Sequence, residues 1–376
     1  MLLLIPGPVA TRPEVRAAMA QDYAPWDNDF RTLYAQVRER VRALAGGGAE
    51  THTALALQGC GHFAMEASLR SLVPAGGRML IPHTGQYSAR LATLARHAGH
   101  DVVAPEVSQD APLDPAVVAE ALAADPAIRH VGLVYSETGS GVVLDAAAIG
   151  RVVHAAGARM ILDAVSAFGA LPLDVSAMPE LDSVAFSANK CLEGMPGLCM
   201  IVARTERLQQ PEAREGGSWA LNLGEIYAQY QRSGPGSFRF TPPAQVLASL
   251  DVALDLYEAE GGREARLARY RENVRTVYEG MIGIGLTPYL PRAVQGPIVV
   301  NIHAPADPVW NLQTFVDQLK RRGFVISNFF NTPLPSFRVG CIGAVTPEDM
   351  RRFVAAADAA LTEMGVRRRE PAPAAS

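Results

Sequence analysis

The sequence predicts an α/β fold: a large domain with a mainly parallel sheet between helices, followed by a smaller C-terminal α+β domain. Three observations predict it. Short apolar runs alternate with helical patterns through the middle of the chain, up to about residue 205. The rhythm changes after a long helical stretch that ends near Gly280. Hydrophobic residues make up 49% of the 376 residues and charged ones 19%, enough for a sizeable core.

After "LQGCGH", a helical pattern runs from Phe63 to Val73 and stops at "PAGG". "RMLIP" (78–82) reads as a short buried strand, "YSARLATLARHAG" as a helix and "DVVAPEV" as extended. In "LDPAVVAEALAADP", Asp114 suits the N-cap and Pro115 the first helical position. "IRHVGLVYSE" (128–137) is a strand and "DAAAIGRVVHAAG" a helix. "RMILDAV" (159–165), "SVAFSAN" (183–189) and "CMIVART" (199–205) are strands. Apolar runs of this kind suit strands covered on both faces. A long helical stretch follows from about Ala244 to Gly280, with a break at "EGG" (260–262).

Beyond it, "PIVVNIH", "FVIS" and "SFRVGCIG" read as strands and "PVWNLQTFVDQLKRRG" as a helix. The last helix, "TPEDMRRFVAAADAALTEM", is opened by Thr346, Pro347 and Asp349 in a capping-box pattern. The expected organisation is a segment 1–20, a large domain 21–262, a small domain 263–366 and a tail 367–376, Pro-rich and prone to fray.

Composition excludes several classes of function. Net charge is −4 with no dense basic run in the folded part, which argues against nucleic acid as a partner. "MLLLIPGP" is apolar but short and lacks a basic start and a cleavage site, so neither a signal peptide nor a membrane span is expected. Cys60, Cys191, Cys199 and Cys341 form no CxxC pair, and no His cluster has ligand spacing. Reduced thiols in the cytoplasm, and no metal, are expected.

The chemistry centres on Lys190. The chain has two lysines against thirty-two arginines, and Lys190 is one of them. It stands between "SAN" and "GMPG", a tight loop at a strand end. An ordinary surface cation in this chain is an arginine, which cannot form a Schiff base; a desolvated lysine can. Asp163 ends the apolar run "RMILD", so its carboxylate emerges at a strand tip. Glu137 falls at a strand end too, and ligands of parallel sheets collect at that edge. A pyridoxal phosphate site needs such a pair: a lysine for the aldehyde and a carboxylate for the ring nitrogen.

Two weaker features join them. Gly59 and Gly61 flank a turn that opens a helix, and a helix N-terminus suits a phosphate. Tyr87 follows a strand in "TGQYSAR" and suits stacking on a flat ring. Each alone is common: a helix-opening turn, a packed tyrosine, a solvated strand end. A nucleotide-binding oxidoreductase or a non-catalytic binding protein is the rival reading. The GxG here lacks the third glycine of a dinucleotide fingerprint.

The order of parts resembles the class V, fold-type I family of pyridoxal-phosphate aminotransferases. The residues that carry the resemblance are "PGPVATRPEVRAAM", "PWDND", the Gly-rich turn, "SET-x-x-G", "DAVSAFG", "SANKC-x-x-G-x-PG", "RFT-x-P" and "FR-x-G-x-IG". They span nearly the whole chain and are most similar to the 2-aminoethylphosphonate–pyruvate transaminases. Alanine–glyoxylate and serine–pyruvate aminotransferases share the frame more distantly. The resemblance implies the fold-type I architecture, with segment 1–20 near the active site. It implies pyridoxal 5′-phosphate as cofactor and transfer of the amino group of a phosphonate amine to pyruvate.

It also implies roles by position. Lys190 would form the Schiff base and carry the proton, and Asp163 would pair with the ring nitrogen. Tyr87 would stack on the ring, while Cys60, Gly61 and His62 would meet the phosphate. Ser140 and Asn189 would also contact the cofactor. Thr241 would reach the phosphate site of a neighbouring subunit, so a homodimer is expected. Arg338 would bind the substrate anion, with Gly7 and Trp26 near the substrate.

Three positions depart from the family pattern. Gly139 stands where "SET-x-x-G" loops usually carry a hydroxyl residue. "HTG" replaces Asn-Gly before Tyr87. Asn328, Phe329 and Phe330 replace a Tyr-Pro-Gly-Lys-like stretch. These changes leave a second outcome open. An ammonia-lyase would use the same machinery on 1-hydroxy-2-aminoethylphosphonate, giving phosphonoacetaldehyde and ammonia without a keto acid.

Overall fold

A computed structural model describes residues 1–215, 217–329 and 332–372. Phe330 and the last four residues of the expected tail therefore lie outside the described residues. The chain opens with β1 (Leu2–Leu3), α1 (Pro13–Ala17) and α2 (Asn28–Leu44). Then come β2 (His52–Gln58), α3 (Gly61–Leu72), β3 (Arg78–Leu80), α4 (Gln86–His97), β4 (Asp101–Val103) and α5 (Pro115–Ala124). They lead into β5 (Ile128–Val134), α6 (Ala146–Ala155), β6 (Arg159–Asp163), β7 (Leu181–Ser187) and β8 (Leu198–Arg204). Helices α7 (Thr205–Leu208), α8 (Glu212–Glu215) and α9 (Leu223–Ser233) precede the long α10 (Ala244–Glu260) and α11 (Gly262–Gly283). β9 (Val299–His303), α12 (Leu312–Arg321), β10 (Phe324–Val325), β11 (Ser336–Gly340) and α13 (Pro347–Glu363) complete the fold.

The seven-stranded sheet has the order β2-β8-β7-β6-β5-β3-β4. Strands β4, β3, β5, β6 and β7 pair in parallel, and only β8 runs against its neighbours. The ends of β2, β6 and β7 therefore open on one edge. One face packs under α2, α5, α6 and α10 around Phe30, Val131, Leu162 and Leu247. The other packs under α3, α4 and α9 around Leu69, Ile161, Ile201 and Leu223. A separate core joins α11, α12 and α13 to β9 and β11.

The caps follow their sequence signals. Asp114 accepts from the Ala116 N–H at 2.9 Å, Thr346 and Asp349 form the capping box, and Gly261 breaks α10 from α11 at φ 107°. Other elements differ from expectation. β5 ends at Val134, because Tyr135 to Leu144 fold back as a loop, with Glu137 N–H donating to Val142 O at 3.0 Å. β4 and β10 are likewise shorter than expected. Helix α2 and strand β2 were not expected. Their patterns are blurred because Arg38 occupies the buried face of α2. Its guanidinium donates to Ala54 O, Thr53 Oγ1 and Pro235 O, closing the free edge of β2.

The N-terminal segment is a strap. β1 pairs in parallel with β10, and Gly340 N–H donates to Leu4 O at 2.8 Å. Further on, Val9 N–H donates to Asn189 O at 3.3 Å and Ala344 N–H to Ala10 O at 2.8 Å. Arg367 and Arg368 N–H groups both donate to Asp307 Oδ2. No helix of the described residues is long and apolar enough to cross a membrane.

The strap gives a prediction. A methyl at Gly340 would fall 2.8 Å from Pro6 N and closer still to the Ile5 carbonyl, all backbone atoms that cannot rotate away. Gly340→Ala is expected to lower the unfolding midpoint by the equivalent of about 2 kcal/mol. Gly283→Ala, with nothing within 4 Å, is the control and should be near neutral in the same thermal unfolding series.

Candidate active site

The shared sheet edge carries a cleft of about 300 Å³. Much of its wall comes from strand ends. β6 delivers Asp163, β7 delivers Ser187 and then the turn with Asn189 and Lys190, and β2 leads through Gly59 to Cys60, Gly61 and His62. Helix α4 adds Tyr87 and Arg90, and the strap adds Gly7 and Pro8. Larger grooves elsewhere, of about 980 and 880 Å³, contain none of these groups. Among the described residues no three His, Cys, Asp or Glu gather as a metal site.

Lys190 lies on the cleft floor under the strap. A Cβ at Gly7 would come within 2.5 Å of its Cε and 2.7 Å of its Nζ, and Gly7 has φ 142°. Only glycine permits this approach. Burial is the main influence that holds the Lys190 amine below the usual lysine range; Arg338 acts in the same sense, while Tyr87 and Asp163 oppose it.

Asp163 has one edge on the cleft and protein on its other sides. Burial raises its pKa to about 6, against the Val165 N–H bond to Oδ1 at 2.9 Å; Glu137 adds to the rise and Lys190 opposes it. Burial also pushes the Tyr87 phenol up, but Lys190, Thr138, Arg338 and Arg90 together bring it below the ordinary range. The Thr138 hydroxyl, otherwise without a hydrogen-bond partner, faces that phenol.

Helix α3 begins with no side-chain cap on Cys60, so its first N–H groups are open toward the cleft. Gly59 has φ 130°, and a Cβ at Gly61 would press into Val165. Helix α4 is different. Its Tyr87 and Ser88 N–H groups donate to the buried Glu137 carboxylate at 3.2 and 2.8 Å. Glu137 is thus a cap that aims Tyr87, not a wall of the cleft.

Arg338, on β11, is buried beside Tyr87. It donates to Thr138 O at 2.8 Å and Ser327 Oγ at 3.3 Å, and the Phe329 ring lies 5.3 Å from its guanidinium carbon. Among the described residues no carboxylate pairs with it. Burial lowers its pKa, and Tyr87 opposes the shift. A buried, unpaired guanidinium is a prepared place for an anion.

The single chain does not bring every expected residue to this cleft. Ser140 is buried outside it; its carbonyl and that of Gly139 are held by Asn301 Nδ2 at 2.8 and 2.9 Å. Thr241 is exposed, and its carbonyl accepts from Gln58 at the end of β2. Trp26 is 82% exposed and touches nothing in the cleft. Two cleft residues with polar side chains were not anticipated. Arg90 lies 3.0 Å from His62 Nε2 and 5.3 Å from the Tyr87 ring, and its i+3 spacing from Tyr87 was the available signal. Ser187 donates to Asn189 Oδ1 and sits where the alternation of β7 turns it to the cleft.

An amine poised for a carbonyl, a buried carboxylate, an open helix N-terminus and a flat phenol fit an aromatic aldehyde phosphate. The aminotransferase class-V family model matches residues 16–308. A 2-aminoethylphosphonate–pyruvate transaminase of Burkholderia lata is 41% identical over 98% of this chain and 96% of its own. One of Pseudomonas fluorescens is 40% identical over 97% of this chain and 98% of its own. Among solved structures, pyridoxamine–pyruvate aminotransferase from Mesorhizobium loti superposes with a TM-score of 0.86 at 26% identity, covering 98% of this chain and 93% of that one. Aspartate aminotransferase from Thermus thermophilus has a TM-score of 0.85 at 23% identity, over 97% and 100%, a likeness of fold alone.

Asp163 makes a pH prediction. Its carboxyl rises from an ordinary 3.8 to about 6 in the folded chain. Between those values the folded state holds the extra proton, so the cofactor-free protein loses stability as pH rises from about 4 to about 6. Asp163→Asn should abolish that slope and stabilise the cofactor-free protein at pH 7.5 by roughly 1–3 kcal/mol. Unfolding midpoints of both proteins across pH 4–8 check this.

Proposed function

The chain belongs to the class-V aminotransferase family, and we propose that it transfers the amino group of 2-aminoethylphosphonate to pyruvate on pyridoxal 5′-phosphate, giving phosphonoacetaldehyde and alanine. The observation that carries the substrate class is Arg338, a buried guanidinium with no carboxylate partner among the described residues. A fork of donors suits the phosphonate in one half-reaction and the pyruvate carboxylate in the other.

When bound, the cofactor supplies an aldehyde that takes up the amino group and a ring that accepts the electrons left on the adjacent carbon. The protein does the rest. Lys190 presents an amine whose depressed proton affinity suits attack on a carbonyl and later movement of a proton. Asp163 would hold the proton on the ring nitrogen. Cys60, Gly61 and His62 would hold the phosphate at the start of α3. Tyr87 would cover the ring, and Asn189 and Ser187 would border it. Gly7 would exclude water from one side of Lys190.

We also propose a cytoplasmic homodimer. The four cysteines are unpaired. Thr241, Trp26 and an aromatic pair, Trp219 and Phe240 with centroids 4.8 Å apart, are exposed. Patches of this composition suit a protein interface. Thr241 and Trp26 would then complete a neighbouring site, and Ser140 would act from behind the cleft.

One observation favours a second reading. Gly139 stands where the family loop usually carries a hydroxyl residue, so the edge of the site differs from a plain transaminase. The same site acting on 1-hydroxy-2-aminoethylphosphonate would release ammonia.

The test is an activity panel. With 2-aminoethylphosphonate and pyruvate, alanine and phosphonoacetaldehyde should form in equal amounts, and neither without pyruvate. Ammonia released from the hydroxylated amine with no keto acid present would overturn the transaminase reading. Lys190→Ala should be colourless and inactive. Arg338→Lys should keep the colour and lose roughly 100-fold in kcat/KM for the phosphonate amine, about the loss of one bidentate charged contact.

A further inference from the structure

Helix α11 carries a polar stripe where an apolar one belongs. Arg266, Arg269, Tyr270 and Asn273 recur at i, i+3, i+4 and i+7, on one face, and that face is turned inward. Arg266 Nη1 donates to the carbonyl of Cys191, the residue after Lys190, at 2.6 Å. The Tyr270 hydroxyl donates to Glu193 Oε1 at 2.8 Å and accepts from Gly343 N–H at 3.2 Å. Arg269 donates to Glu193 Oε1 at 2.7 Å, to Gly343 O at 2.7 Å and to Val345 O at 2.8 Å. Asn273 donates to Cys341 O at 3.0 Å. Glu260 balances the charge, accepting from Arg266 Nε and Arg269 Nε, each at 2.7 Å.

The cluster joins two loops. One is the Lys190 turn, in which Glu193 N–H donates to Lys190 O at 2.9 Å. The other, Cys341 to Val345, continues directly from the strand that carries Arg338. Glu193 also has φ 59°, a left-handed conformation that glycine adopts without strain. Any side chain held in that conformation carries a backbone cost that glycine would not.

We propose that Glu193, with Arg266, Arg269 and Tyr270 of α11, is a positioning cluster that fixes the Lys190 turn in register with the Arg338 strand. It sets the span between the reacting amine and the bound anion. This rests on the reading that Lys190 reacts and Arg338 binds the anion.

Glu193→Gly and Glu193→Gln separate positioning from bulk stability. The glycine variant relieves the backbone and leaves Glu260 paired with both Arg266 and Arg269, so the chain should fold. Three quantities are read: the rate of colour formation when cofactor-free protein meets pyridoxal phosphate, kcat, and inhibition by ethylphosphonate, an anion without an amine. For Glu193→Gly, colour formation and kcat should each fall by about tenfold or more, as for an amine displaced by a fraction of an ångström, while ethylphosphonate inhibition stays within about twofold. Glu193→Gln, whose amide oxygen still accepts from Tyr270 and Arg269, should recover most of both. Should the glycine variant fail to fold, Tyr270→Phe, which cuts the links to Glu193 and Gly343, is expected to give the same split. Rates within about twofold of the unaltered protein, or a uniform fall in all three quantities tracking the unfolding midpoint, would overturn the proposal. An unaltered protein that gains no colour would instead sink the underlying assignment of Lys190.

Discussion

The site depends on one contact, the approach of the Gly7 backbone to the side chain of Lys190. The glycine has no Cβ, and one placed there would overlap the last two atoms of the lysine chain. Because the contact is that close, the amine is taken out of water on one side, and its proton is held less firmly. The contact needs a strap held from both ends. Leu4 is bonded to Val325 and Gly340, and Val9 to Asn189, beside the lysine itself. The small core behind β11 is thus part of the machinery of a lysine on the large sheet.

Positive side chains outnumber negative ones along the cleft. Lys190 and Arg90 line the cleft with one acidic group, Asp163, whose own ionisation is resisted by burial, and the buried Arg338 lies beside Tyr87. Glu137 is buried close by, but its oxygens are committed to the start of α4. The α4 cap therefore does two things. It fixes Tyr87 over the cleft, and it keeps a second carboxylate from competing with an incoming anion.

Much of this was legible in the sequence for a local reason. Asp163 and Lys190 lie where apolar runs end, and a run that ends in a charge marks the edge of a buried strand. Asp114, Thr346 and Gly261 were legible because capping needs only neighbours in sequence. What escaped depends on partners far away. Nothing in "MLLLIPGP" shows that Leu2 pairs with Phe324. Helix α2 hides behind Arg38, which belongs on a buried face only because the edge of β2 needs donors. The stripe of α11 reads as an ordinary charged helix until Cys191 and Gly343 are seen beside it. Ser140 and Thr241 gained their expected roles from resemblance, and one chain alone leaves both outside the cleft.

The pairing of β1 with β10 also orders events during synthesis. Residues 2–4 leave the ribosome long before Phe324, Val325 and Gly340 exist to receive them. The seven-stranded sheet has every strand it needs once Arg204 is made. The strap that crosses Lys190 has no partner for Leu4 until Val325 and Gly340 are made. The close approach of Gly7 to Lys190 therefore waits for the last third of the chain, which supplies the bonds that hold the strap.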